Sequence, residues 1–494
     1  MPSRPPNVIV IMADQQKATS SHLWGNSFCE TPALAAMAEQ GVLFDCAITP
    51  HPLCGPARQS LWTSQYPHSH GGRRNQTLMP SDAVHAFKVW KEAGYHNGLI
   101  GKNHCFVGEQ DLELFDTWCE VGHGGITEDS TRGMEWFRDR EGIDAAHDAR
   151  QNMTPQSPRF SYDTNEGPLE DSGTGLVAGQ TVRFLEQHQQ GPFALWVSFP
   201  DPHEPWVCPK SYADQFPPEK VGLPPQREGE FDDAETVPER NRVLHAILGT
   251  SEDSAEDVLA LQSVYYGMVK FLDDGLSHIT EALDRLGLRE NTIVVYCSDH
   301  GDFMGEHGMQ CKGGVFYDCL TRVPLVVSWP GHIPSGIRED NPVNLIDIVP
   351  TVLGLQGLDV PPSMHGEALP SVVEGAPTRE VTFSEYGAGG PAFTMADLEQ
   401  MERPFGRRAL MQSLQWREAE GRRKMARTRD WKYVHDPMGD LDELYDLKND
   451  PWELTNVAHL PEHAAVISTM RGHLADWSIR TEDAKAVPMP ESRS

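Results

Sequence analysis

Residues 7–14 read NVIVIMAD, an unbroken apolar and largely β-branched run that stops on a carboxylate. A strand with one solvated face alternates polar and apolar residues. A run without alternation predicts a strand buried on both faces, as in a parallel sheet covered by helices. The chain downstream carries the matching helices. Thr31-Pro32 opens ALAAMAEQGV, where Thr31 is expected to cap, Pro32 suits the first helical position and Gly41 ends the turn. Helix-like HAFKVWKEAGY (85–95) precedes strand-like HNGLIG, and GLVAGQTVRFLEQHQ (175–189) precedes FALWVSF (193–199). The long segment 254–288 leads to TIVVYCS (292–298), and RVPLVVSW (322–329) is followed by VNLIDIVPTVLGLQGL (343–358). This alternation predicts an α/β fold over residues 1–375, a mostly parallel central sheet sandwiched by helices.

Near 375 the pattern changes. REVTFSEY (379–386), RKMARTRDWKYVHD (423–436) and DELYDL (442–447) read as antiparallel strands, and 462–478 as a closing amphipathic helix. Residues 376–494 are therefore expected to form a smaller C-terminal α+β domain with an antiparallel sheet. The stretches 120–172 and 207–252, rich in Gly, Pro and acidic residues, read as long surface insertions.

Composition narrows the partners. A formal net charge of −31 over 494 residues argues against nucleic acid or an anionic membrane, because the global field repels both. An anionic substrate would need a site with its own positive charge. No stretch reaches the roughly 18 apolar residues of a membrane span. The N-terminal apolar run is too short for a signal-peptide core. Nine cysteines, an odd number with no CxxC pair, favour reduced thiols and a cytoplasmic protein over a disulfide framework. Zinc-finger spacing is absent.

Ligands of open α/β sheets bind at the carboxyl ends of the strands. Here those ends carry Asp14-Gln15, Gly101-Lys102-Asn103-His104, Pro200-Asp201-Pro202-His203 and Asp299-His300-Gly301-Asp302, with Lys312 a short loop away. Each alone reads as a cap, turn or solvated side chain. Their convergence at one end of successive strands does not. Asp14, Asp299 and His300 supply carboxylates and an imidazole for a divalent cation such as calcium, magnesium or manganese. Arg58, Lys102, Lys312 and the histidines suit a tetrahedral oxyanion. Metal plus cations around one point indicates sulfuryl or phosphoryl transfer.

One further stretch, HPLCGPARQSL at 51–61, makes the reading specific. CGPAR matches the C-x-P-x-R signature of the sulfatase family, and TSQYPHSHG stands where that family has a TG-x-x-P-x-x-x-G pattern. NVIVIMAD, GKNH, PHEPW, SDHGDFMGEHG, a following lysine and ELYDLKNDPWELTNVA resemble the remaining landmarks in order, so the resemblance spans the whole chain. It implies that Cys54 is oxidised to formylglycine (3-oxoalanine) by a formylglycine-generating enzyme that reads the C-x-P-x-R stretch. The hydrated aldehyde offers one hydroxyl to attack sulfur and a second that lets the covalent sulfate ester collapse by elimination. Position 54 at the start of a helix favours an anion there.

The resemblance also implies roles. Asp14, Gln15, Asp299, His300 and the modified Cys54 resemble the metal ligands, with calcium first and manganese or magnesium as alternatives. Arg58 and Lys102 would hold the diol, His104 is similar to the base that drives elimination, and His203 and Lys312 match residues contacting the transferred group. Asn75 stands where the family has a substrate-contacting asparagine. Two departures stand out. Gln15 replaces a second aspartate, as in phosphonate monoester and phosphodiester hydrolases and in choline sulfatase. Asn103 replaces the usual tryptophan of GKWH. Lys102 and His104 speak against the phosphonate class, which carries Tyr and Thr types there. The expected activity is hydrolysis of a small-molecule sulfate monoester, with phosphonate monoester or phosphodiester hydrolysis as the alternative. Specificity is expected in 105–172, 207–252 and 386–422. A choline-like substrate would need an aromatic cage, for which Trp206, Trp416 and Tyr386 are candidate types. Oligomeric state stays open, a homo-oligomer among the alternatives.

Overall fold

The structure is a computed structural model that describes residues 4–106, 109–122, 131–137, 162–250, 253–400 and 420–482. Its centre is a nine-stranded sheet. In spatial order the strands are Ile337–Glu339, Gly41–Phe44, Leu325–Ser328, Thr292–Ser298, Asn7–Ala13, Phe193–Ser198, His96–Gly101, Thr117–Glu120 and Thr131–Arg132. Leu325–Ser328 and Thr131–Arg132 run against the other strands, so the sheet is mostly parallel, as expected.

The unbroken apolar run works as the sequence predicts. Ile9, Ile11 and Ala13 face one hydrophobic core, while Val8, Val10 and Met12 face the other. Its neighbours divide the same way, with Leu195 and Val197 on the first side and Ala194 and Trp196 on the second. Each fully buried Val or Ile contributes about 1.5–3 kcal/mol, enough to hold the register that lines up the strand ends.

Local expectations changed in three places. Residues 322–329 do not form one strand. Pro324, which has no N–H to give a ladder, separates Arg322–Val323, paired with Ala47–Ile48, from Leu325–Ser328 in the central sheet. Thr31 does not cap the helix Pro32–Glu39; its hydroxyl lies 2.6 Å from that of Ser21. The cap comes from Asp273 on the 31-residue helix Ala255–Arg285, whose carboxylate accepts from the backbone N–H groups of Ala33 (3.1 Å) and Leu34 (2.9 Å). Gly41 opens a strand, where a Cβ would run into the carbonyl of Val327. Finally, 207–252 is not mere surface loop. It carries the strand Trp206–Pro209 and the helix Glu239–Leu248, whose Arg240 pairs with Asp436 (3.1 Å), Asp440 (3.3 Å) and Glu443.

Toward the C-terminus the strands Val381–Tyr386, Arg423–Thr428, Trp431–His435 and Glu443–Asp446 form an antiparallel meander. The helix Ala464–Arg480 packs on it through Met470, Leu474 and Trp477. Tyr66 and Ile346 from the larger part of the chain join that same core, so the small sheet is seated beside the segment that follows Cys54–Thr63.

Candidate active site

Four neighbouring parallel strands, Thr292–Ser298, Asn7–Ala13, Phe193–Ser198 and His96–Gly101, end side by side, with Ala13 opposite Ser298 and Gly101 opposite Ser198. Asp299, Asp14, Asp201 and Lys102 follow those ends. Over them stands the helix Cys54–Thr63, in which all ten residues are buried. Its far end is anchored by Trp62 against Trp196 (5.1 Å) and Phe87 (4.6 Å). Two of its hydroxyls are paired: the Ser60 hydroxyl lies 2.8 Å from His70 Nε2, and the Thr63 hydroxyl donates to the Gln59 carbonyl (2.7 Å). A helix this deeply packed holds its first residue, Cys54, rigidly at the sheet edge.

Cys54 Sγ lies 3.0 Å from His300 Nε2 and 3.6 Å from Asp14 Oδ1. Asp14, Cys54, Asp299 and His300 each offer a ligand atom within 4.8 Å of the others, all buried. One helical turn beyond Cys54, Arg58 is fully buried. Its Nε donates to Asp299 Oδ2 (2.8 Å), its Nη1 to Ser198 Oγ (2.8 Å) and to the Lys102 carbonyl (2.8 Å), and its Nη2 lies 3.5 Å from Asp14 Oδ2. The Lys102 ammonium pairs with Asp14 Oδ2. Lys312 Nζ reaches Gln15 Oε1 and lies 2.7 Å from His203 Nε2.

Arg58, Lys102 and Lys312 thus gather around Asp14 and Asp299 in a chain of net charge −31, with Glu204 3.9 Å from Lys312. The thiol of Cys54 reports this field. Burial and the Asp14 carboxylate push it up, yet Lys102, Lys312 and His300 bring it down to about 5. His300 is raised although burial opposes it, because Asp299 and Cys54 favour its charged form. Two hard carboxylates and one imidazole around position 54 fit a calcium-, magnesium- or manganese-type cation.

Most of the sequence-predicted residues come together. Asn75 accepts from the Gly55 backbone N–H (3.0 Å), directly behind Cys54. Gln15, expected as a ligand, is engaged otherwise: its oxygen accepts from Lys312 and its amide nitrogen donates to Asp302. His104 stands two residues past Lys102 in a left-handed conformation (φ 62°), its buried Nδ1 without a hydrogen-bond partner among the described residues. Trp206 and Tyr386 are 0% and 2% exposed and so line no open cage, while Trp416 lies outside the described residues. Two partners were missed. Ser198, the last residue of FALWVS, orients Arg58, and Asp302 holds Gln15 while burial lifts its own carboxyl to about 6. The second carboxylate of DHGD was a usable signal; a strand-end serine was none.

The chain is similar to known proteins over most of its length. The family model described as Sulfatase matches residues 6–358. An arylsulfatase of Clostridium perfringens is 28% identical over 488 residues, covering 94% of this chain and 93% of the relative. A choline-sulfatase of Rhizobium meliloti is 26% identical, covering 97% and 88%. In fold, the chain superposes on the phosphonate monoester hydrolase of Agrobacterium radiobacter with a TM-score of 0.76 at 24% identity, covering 96% of both chains.

Proposed function

The chain belongs to the sulfatase family and is a sulfuric ester hydrolase, and from that premise we propose that it works through a formylglycine made from Cys54 and one divalent cation held by Asp14, Asp299, His300 and residue 54. The observation that carries this reading is the seat of Cys54. It opens a fully buried helix, 3.0 Å from His300 and 3.6 Å from Asp14, in a field that favours an anion. The thiol sulfur stands in for an oxygen of the hydrated aldehyde, which would supply a nucleophile for sulfur and its own route of release. The cation would supply Lewis-acid polarisation, with calcium the first choice and manganese or magnesium the alternatives.

The chain's own groups then have distinct tasks. Arg58 and Lys102 neutralise the carboxylates and hold residue 54 in orientation. Asn75, Lys102, His203 and Lys312 bind the transferred group. His203 and Lys312, in mutual contact, can place a proton on the leaving oxygen. His104, whose buried Nδ1 has no hydrogen-bond partner among the described residues, would take the proton whose loss frees the sulfate. Gln15 is read as the holder of Lys312 in its contact with His203. A formylglycine-generating enzyme would be the maturation partner. A cytoplasmic setting is supported by nine cysteines that are all buried and free; among the described residues no helix is long and apolar enough to cross a membrane.

A second reading, phosphonate monoester or phosphodiester hydrolysis by the same nucleophile, is favoured by Gln15. The Asp14-Gln15 start resembles that of the phosphonate monoester and phosphodiester hydrolases, and a phosphodiester carries the same single charge as a sulfate monoester, so the same cations could hold either. Peptide mass spectrometry across CGPAR, on protein co-produced with a formylglycine-generating enzyme, tests the nucleophile: the expected result is a loss of about 18 Da at residue 54. Turnover of 4-nitrophenyl sulfate against phenyl phenylphosphonate then separates the readings. A kcat/KM in favour of the phosphonate would reverse their order.

A further inference from the structure

Beside the nucleophile helix lies a group of cations that the reaction above does not use. Arg73 stands two residues before Asn75, which touches Gly55, so its backbone is within about 7 Å of that contact. Its Nη1 donates to the carbonyl of Gly387 (3.2 Å), just past the strand Val381–Tyr386. Lys424 is the register partner of Glu385 on that strand, and exposed Arg422 adjoins it one residue before the strand Arg423–Thr428. Two links seat this corner on the site. The Glu385 N–H donates to the carbonyl of Pro50 (3.0 Å), and Tyr386 stacks on His51 (5.1 Å), both immediately ahead of Cys54.

The local charge is unbalanced. Glu385 lies 3.9 Å from Lys424 but gives its other oxygen to the backbone and ring nitrogens of His68. The Arg73 guanidinium is held below its ordinary value by burial and by nearby Arg422, against the pull of Glu385. Lys424 Nζ also donates to Ser478 Oγ (3.1 Å) and lies over the Trp477 ring (4.3 Å), so among the described residues one carboxylate, Glu385, shared with His68, is set against these cations and leaves Arg73 and Arg422 able to meet a further anion.

We propose that Arg73, Arg422 and Lys424 form a second anion subsite next to the scissile sulfate, so that the substrate is a sulfate ester carrying another sulfate or carboxylate on its leaving part. This rests on the sulfatase reading and adds the substrate class to it. A monoanionic ester fills the reacting pocket alone; a dianionic one also meets a guanidinium fork suited to planar, bidentate recognition. The −31 field repels such a substrate at a distance, which makes the local cations decisive for its binding.

Competitive inhibition of 4-nitrophenyl sulfate turnover provides the test, on full-length protein with residue 54 verified as formylglycine. The probes are benzenesulfonate, benzene-1,3-disulfonate, biphenyl-4,4′-disulfonate and 3-sulfobenzoate, which vary the second anion and its distance. At least one dianion is expected to bind roughly tenfold or more tightly than benzenesulfonate, a preference that shrinks several-fold in Arg422→Ala and inverts in Arg422→Glu. Exposed Arg422 carries no packing, so these variants keep their fold. The 3-sulfobenzoate arm distinguishes carboxylate from sulfonate as the second group. Equal binding of all probes, or a preference untouched in both variants, would overturn the subsite. The same probes titrated by calorimetry read it without turnover. An inactive but formylglycine-bearing enzyme would therefore count against the sulfatase reading alone.

Discussion

At position 54 a side chain of small volume sits where two carboxylates, an imidazole and three cations converge. Its contribution is chemical, since Trp62 and the buried helix body provide the packing. Cys54→Ala is accordingly expected to remove steady-state turnover while leaving the thermal midpoint within a few degrees of the parent, and normal turnover would rule out the nucleophile. Arg58 is the opposite case. It is fully buried against Asp299 and Asp14, and its removal takes the guanidinium partner from Asp299 and leaves Asp14 with Lys102 alone. Arg58→Ala should therefore cost about 3–5 kcal/mol in denaturant unfolding as well as activity, whereas a loss below about 1 kcal/mol would show that the pair is solvated. The strand-end polar residues and CGPAR were legible one by one, because their chemistry is local. The engagement of Gln15 by Lys312 and Asp302 was not, since the residues are almost 300 positions apart.

Elements meet through a few buried ionic contacts. Glu385, at the end of Val381–Tyr386, accepts from His68 and faces Arg73 and Lys424. Burial pushes its carboxyl up, but the His68 hydrogen bonds and charge, with Arg73 and Lys424, bring it down to about 2 from an ordinary 4.5. A depressed carboxylate stabilises the folded state above pH 4.5, and that contribution is lost as pH falls through about 2. Its full size is about 3 kcal/mol. Glu385→Gln should thus lower stability near neutrality and flatten its fall between pH 4.5 and 2, measured by urea unfolding across that range. An acid limb as steep as the parent's would assign the loss to other groups. Periodicity announced the strand that carries Glu385 but not its docking to the segment after Cys54, which joins residues more than 300 apart.

Over the entire molecule, a cation held by Asp14, Asp299, His300 and residue 54 would be linked to the folded state. A group that binds only the native site stabilises it by mass action. Dialysis against a chelator is expected to abolish turnover and lower the thermal midpoint, with both restored by calcium, manganese or magnesium; the ion that restores activity at the lowest concentration identifies the metal. Unchanged turnover in chelator would exclude a required cation.

The chain order of apolar runs and helical segments was sufficient to establish the α/β architecture, because burial on both faces leaves an unbroken hydrophobic stretch such as NVIVIMA. The short motifs were sufficient to single out Asp14, Cys54, Arg58, Lys102, Asp299 and His300, which the fold brings together, because each lies at a strand end or in the first turns of a helix that local signals mark. Spatial strand order, the reversal of Leu325–Ser328, the capping of Pro32–Glu39 by Asp273 and the gathering of Arg73, Arg422 and Lys424 came from the folded state alone. Each of these joins segments far apart in the chain. Such contacts form when whole surfaces are buried together, so no local run of residues can encode them.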